Sequence, residues 1–208
     1  MRKIIACLGW SAILLGCLWW IAACMGRPYL IIDYQLPQTA QQLTGQTVRL
    51  EVKDLRDDPY VFTPRATIEF KDFEERYSLA WIMEGQSRVL AGEYDLKDLF
   101  AEAFKKRLQQ LGVTIAPKEK SNTPVFEIDL KTFKIDLQDH KWLASVSYVV
   151  NLTNDGQWIA HENVVGNAER IKIIGRKGAD TVISEIFTDM LNRVDIVKLF
   201  AQAKLTGN

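Results

Sequence analysis

Between Phe126 and Ala168 the chain alternates apolar and polar residues almost without interruption. A period of two is what a strand with one face on a core and one in water requires. Phe126, Ile128 and Leu130 alternate with Glu127 and Asp129, and the alternation resumes one position out of phase at Phe133, Ile135 and Leu137. A β-bulge near Lys131 and Thr132 would keep both apolar sets on the core side. Ala144, Val146, Tyr148, Val150 and Leu152 carry the pattern on to Asn154-Asp155-Gly156, after which it continues from Gln157. Asp-Gly between two such runs is the signal of a tight hairpin, because both central residues must take positive φ. Three long strands in a meander follow from these spacings.

Other elements are placed by the same logic. Val48, Leu50 and Val52 alternate with Arg49, Glu51 and Lys53, and the strand they imply ends in Asp54 to Pro59, where consecutive acids and a proline cannot continue a ladder. Asp95 offers a helix N-cap ahead of Leu96, Leu99, Phe100, Ala103, Phe104, Leu108 and Leu111, which share one face at 3.6-residue spacing. Lys105, Lys106 and Arg107 complement the dipole at its end, Gly112 follows as the residue that leaves the helix, and Val113 to Ala116 reads as a short strand. A closing helix carries Val182, Ile183, Ile186, Phe187, Met190, Leu191, Val194 and Val197, with Asp180 or Thr181 as its cap. Tyr60 to Gly92 reads as extended, with strand-like pieces at Ala66 to Phe70 and Tyr77 to Met83. The order of elements predicts an α+β fold, a mostly antiparallel sheet with two helices packed on one face, in a single domain over 47–203.

The N-terminus constrains location more than fold. Arg2 and Lys3 precede an uncharged run from Ile4 to Ala23, the basic n-region and apolar h-region of a signal peptide over 1–23. The run ends in Ile21-Ala22-Ala23-Cys24, a branched apolar residue and two small ones before a cysteine, which is the layout of a lipobox. Ile21, Ala22 and Ala23 would be recognised by the peptidase, and Cys24 would receive a diacylglycerol and an N-acyl chain. More than one acyl chain makes such an anchor stable. Residues 24–46, with Pro28, Pro37, Gln41, Gln42, Thr44 and Gly45, read as the lipidated N-terminus and a tether with a short extended piece, Tyr29 to Leu36, that is apolar enough to pair with something. Two other readings stand beside this one: a retained transmembrane helix, which an uncharged run of this length permits, and cleavage before Cys17, where bulky Leu15 fits the small-residue slot poorly.

Cleavage before Cys24 would remove Cys7 and Cys17 and leave the folded part without cysteine, hence without disulfide, thiolate nucleophile or Cys-based zinc site. Gly26, where an aspartate would favour inner-membrane retention, points to the periplasmic face of the outer membrane. The mature chain would carry 24 basic and 26 acidic residues, a balance that implies no nucleic-acid partner.

Little in the sequence suggests catalysis. His140 and His161 have no ligand-spaced companion, and no nucleophile elbow, phosphate loop, dinucleotide fingerprint or zincin motif is present. No catalytic residue, metal or cofactor is therefore expected beyond the lipid on Cys24. Asp54, Asp57 and Asp58 lack the spacing of a calcium loop and read as a solvated strand end. Arg170, Lys172, Arg176 and Lys177, around Ile173, Ile174 and Gly175, form a basic loop with an apolar centre, which reads either as a plain solvated connection before the last helix or as a candidate contact for lipid phosphates or an acidic partner. Trp142 and Trp158 flank the hairpin, and a cross-strand aromatic pair or an acyl-chain groove are the two readings of that placement.

Taken together, the lipobox, Tyr34-Gln35-Leu36-Pro37, the strand end from Val48 to Arg56, and the helix from Phe100 to Gly112 followed by a meander resemble the YajG-like and ABC-transport-auxiliary lipoproteins. The segment between Pro59 and Gly92 departs from that compact pattern. The resemblance implies a periplasm-facing accessory subunit that docks onto other envelope proteins, such as subunits of a lipid-trafficking transporter, with no active-site residues to carry over. An acyl-chain-binding carrier is the alternative.

Overall fold

A computed structural model describes residues 28–38, 40–117, 123–173 and 177–206. In chain order the elements are β1 (Tyr29–Gln35), β2 (Thr47–Asp54), α1 (Pro64–Thr67), β3 (Arg76–Ile82), β4 (Val89–Tyr94), α2 (Leu96–Gln110), β5 (Thr114–Ile115), β6 (Val125–Gln138), β7 (Lys141–Asn154), β8 (Gln157–Ile171), α3 (Lys177–Arg193) and α4 (Ile196–Thr206). The fold is α+β with mostly antiparallel strands, in two sheets where the sequence suggested one. The larger sheet has the order β5-β2-β6-β7-β8 and the smaller β1-β3-β4.

The meander forms as its alternation dictates. β6 and β7 pair antiparallel with a register shift between Leu130 and Thr132, the bulge that returns Phe133 and Ile135 to the core. β7 and β8 meet at Asp155 and Gly156, with φ of 48° and 77°, the two positive values that a type I′ hairpin needs. Asp95 caps α2 by accepting the Asp98 amide, and Gly112 leaves the helix at φ 87°. Phe104 from α2 meets Phe126 and Tyr148, and Phe100 meets Phe133, Tyr148 and Phe187 of α3. Both long helices thus lie on the inner face of the five-stranded sheet, and interlocking rings fill the space between them.

Four expectations change. The tether over 24–46 contains β1, whose Leu30, Ile32 and Tyr34 are fully buried. β1 pairs parallel with β3, from Tyr29 opposite Arg76 to Gln35 opposite Ile82, so the folded unit begins at Tyr29 and runs to Thr206. The flanking Pro28 and Pro37 suggested a linker, yet they bound the strand without interrupting its alternation. The strand foreseen at Ala66 to Phe70 is instead the single turn α1, started by Thr63, whose hydroxyl accepts the Ala66 amide, and by Pro64. Third, the closing helix starts at Lys177 and breaks after Arg193, so Asp180 lies inside α3. Finally, Trp142 and Trp158 do not pair: Trp142 stands opposite Arg170 and Trp158 opposite Thr153, at opposite ends of β7 and β8.

Candidate interaction sites

Ile21, Ala22, Ala23 and Cys24 lie outside the described residues, as does Arg176. The chain enters the fold at Pro28, whose carbonyl accepts the Glu74 amide at 2.9 Å. Three positions on, the Ile31 amide donates to Asp180 Oδ1 at 3.0 Å. The first bond ties the entry of β1 to the segment that leads into β3, and the second sets the strand beside the first turn of α3.

The basic loop meets the fold at the same end. Arg170 pairs with Glu185 at 2.6 Å. Lys172 pairs with Glu69, stands 5.8 Å over the Trp142 ring, and its amide donates to the His140 carbonyl. Lys177 opens α3. Arg170 and Lys172 each have their charge answered by a glutamate of this same chain. Trp142 is buried in that arrangement against Phe70, whereas Trp158 at the far end is 71% exposed.

A feature the sequence reading missed runs along α3. Asp180, Ser184, Thr188 and Asn192 recur every fourth residue and face the outer edge of β1. Ile31, Asp33 and Gln35 donate their amides to Asp180, Ser184 and Thr188 at 3.0, 3.0 and 3.1 Å. Asn192 Nδ2 donates to the Gln35 carbonyl at 2.9 Å, and Tyr34 donates its hydroxyl proton to Asn192 Oδ1 at 2.8 Å. The match is geometric: four helical residues rise about 6 Å, and two strand residues about 6.6 Å. A helix so patterned substitutes for a neighbouring strand and closes an edge that would otherwise invite pairing. A groove of about 630 Å³ follows this seam, lined by Asp33, Gln35, Thr181, Glu185 and Asp189 among others. The period-four polar stripe was visible in the sequence, but Asp180 at the head of an apolar run reads first as a cap.

Elsewhere the polar groups are engaged structurally. Asp54 receives a bidentate contact from Arg56, with both distances at 2.8 Å, and that hydrogen bonding holds its carboxyl below the usual carboxylate range. Asp58 is held low in the same way by Lys134 and by the Tyr60 amide. On the helix-free face of the larger sheet, Lys53 pairs with Glu127, while buried Asn151 donates to Asp129 at 3.1 Å. The hydrogen bond from Lys53 to Glu127 raises the lysine's pKa. Among the described residues no group of three or more His, Cys, Asp and Glu side chains is placed to hold a metal ion.

In fold the chain is similar to protein XCC0632 from Xanthomonas campestris, a DUF330 protein seen in a crystal structure. The TM-score is 0.51 at 10% identity, over 88% of this chain and 100% of that one. At that identity the likeness is one of fold. No family model and no curated protein matches the chain.

Proposed function

We propose that this chain is a lipid-anchored accessory protein of the bacterial cell envelope, held by acyl chains on Cys24 at the periplasmic face of the outer membrane. The observation that carries the reading is the lipobox-like Ile21-Ala22-Ala23-Cys24 set immediately ahead of a core strand. Tyr29 is the fifth residue after Cys24, a length that spans at most about 17 Å. The anchor would therefore hold the domain close to the bilayer, within reach of membrane-associated partners. An auxiliary role in a lipid-trafficking transporter is the finer form of this reading and follows the resemblance in layout. The ring-filled space between helices and sheets favours an interaction module over an acyl-chain carrier.

Metabolic labelling with palmitate and mass spectrometry of the mature N-terminus test the anchor. Cys24→Ser should abolish the label and leave an unprocessed or unanchored protein. Undiminished labelling in that variant, or a mature chain that still carries residues 1–23, overturns the reading. Cross-linking in native membranes then tests the accessory role: capture of a transporter subunit supports it, and capture of the chain alone argues against it.

A further inference from the structure

The Glu69–Lys172 ion pair brings the chain positions of three exposed isoleucines to one end of the molecule. Ile68 precedes Glu69, and Ile171 and Ile173 flank Lys172. They are 66%, 68% and 79% exposed. Single exposed apolar residues are ordinary on a protein surface, but these three belong to one pole of the molecule. That pole also holds the β6–β7 turn, since the Lys172 amide donates to the His140 carbonyl. It holds the start of α3 too: a Cβ on Gly178 would fall 2.7 Å from Trp142 Cδ1 and 3.2 Å from the Ile171 carbonyl. Asp180, two residues later, binds the Ile31 amide, and the Pro28 carbonyl binds Glu74. The chain that leads back to Cys24 therefore leaves the fold at the isoleucine-bearing end.

We infer that this pole, with Ile68, Ile171 and Ile173 at its surface, is a bilayer-contact surface that seats the domain on the membrane to which it is anchored; the inference rests on the Cys24 reading. Isoleucine side chains gain by leaving water for the acyl boundary, and a leash of five residues presents them there without added search entropy. Lys172 is paired with Glu69, and Lys141, opposite Ile171, with Glu169, so shallow seating at this end meets ion pairs rather than lone cations. The opposite end, at the β7–β8 turn, would stand a strand's length away, about 45 Å for a 14-residue strand, free to meet partners.

The test uses the full chain with Cys7→Ser and Cys17→Ser, and adds one cysteine at a time: Ile68→Cys, Ile171→Cys, Ile173→Cys, or Asn154→Cys at the far turn. Each purified protein is labelled with an environment-sensitive maleimide dye and reconstituted into phosphatidylethanolamine and phosphatidylglycerol vesicles. Dyes at 68, 171 and 173 should shift to the blue, be quenched by spin-labelled lipid, and be several-fold less sensitive to aqueous iodide than the dye at 154. Equal iodide quenching at all four sites overturns the inference, and so does shielding at the pole without lipid quenching, which would mean that a protein covers it. The parent chain without an added cysteine reports separately on the anchor. An acylated Cys24 takes no dye, and dye uptake there fails the anchor reading itself.

Discussion

The Asp33 amide donates to Ser184 Oγ at 3.0 Å, and that hydroxyl gives its own proton to the Asp180 carbonyl at 2.7 Å. One side chain thus serves a strand edge and its own helix at once, and it leaves a lone pair for the strand because its proton is already committed. Ser184→Ala removes the acceptor and leaves the Asp33 amide facing the groove. The loss should be about 1 kcal/mol, slightly offset by the better helix propensity of alanine. Urea unfolding should record that loss. Amide exchange should quicken at Asp33 while Ile31, held by Asp180, keeps its protection. Unchanged exchange at Asp33 would show that the helix stripe does not guard the edge.

Gly166 on β8 faces Met190 on α3. A Cβ at position 166 would lie 2.1 Å from Met190 Sδ and 2.4 Å from its Cε. The helix cannot withdraw easily, because Tyr148 donates its hydroxyl to the Met190 carbonyl at 2.8 Å. Gly166→Ala gains up to about 1 kcal/mol from a less flexible unfolded chain, but overpacking costs about 1 to 3 kcal/mol, so the net effect should be destabilising. Met190→Ala makes room at the price of a cavity. The double variant should then be at least about 1 kcal/mol more stable than the two single losses added together. Strict additivity in this cycle would mean that the two residues do not compete for the same space.

The parts legible in the sequence were those whose cause is local. The bulge at Leu130 and Thr132, the Asp155-Gly156 turn and the Asp95 cap each follow from a few neighbouring residues, and each stands where the spacing put it. The parts missed depend on distant partners. Asp180 satisfies every local criterion of a cap, yet its partner is the Ile31 amide, 149 positions away. β1 carries a clear alternation, but two prolines made it look like linker, and only its pairing with β3 makes it core. Arg170 and Lys172 read as free charge because nothing local reveals that Glu185 and Glu69 lie opposite them. The same long-range pair, 103 positions apart, assembles the isoleucine pole, which no window of sequence displays.

Arg107 on α2 is buried and donates to the carbonyls of Leu191 and Val194 where α3 ends and the chain turns into α4. Helix C-termini expose carbonyls and partial negative charge, and a guanidinium fork meets both needs. Arg107→Leu should leave these acceptors without a donor, at a cost of about 2 to 3 kcal/mol, with the damage centred on the α3–α4 corner. Hydrogen exchange should speed up through Ile196–Thr206 and spare the first turns of α3. A uniform change across both helices would instead indicate loss of general packing.

The acid and alkaline limbs of stability should have separate origins. Hydrogen bonds from Arg56 hold the Asp54 carboxyl below its ordinary range. At Asp136, burial pushes upward, but hydrogen bonds from Thr63, Gln138 and the Leu137 amide, with the charge of Arg65, bring it lower. A carboxyl lowered in the folded state binds protons less readily than in the unfolded chain, so its contribution is present above the unfolded value of about 3.9 and is lost as pH falls through the folded one. Tyr34, Tyr77 and Tyr148 behave oppositely, since burial raises each phenol above its ordinary value. The folded state then keeps protons that the unfolded chain releases, and stability declines as pH rises beyond about 10. The urea midpoint should be level between these limits and fall on both sides. Joint Asp54→Asn and Asp136→Asn substitution should make the acid limb shallower, with the part due to Asp58 left in place, and leave the alkaline limb unchanged. Tyr148→Phe should lower the plateau by about 1 kcal/mol, through loss of its bond to Met190, and make the alkaline limb shallower. An acid limb that keeps its slope in the double variant would assign that slope to other carboxylates.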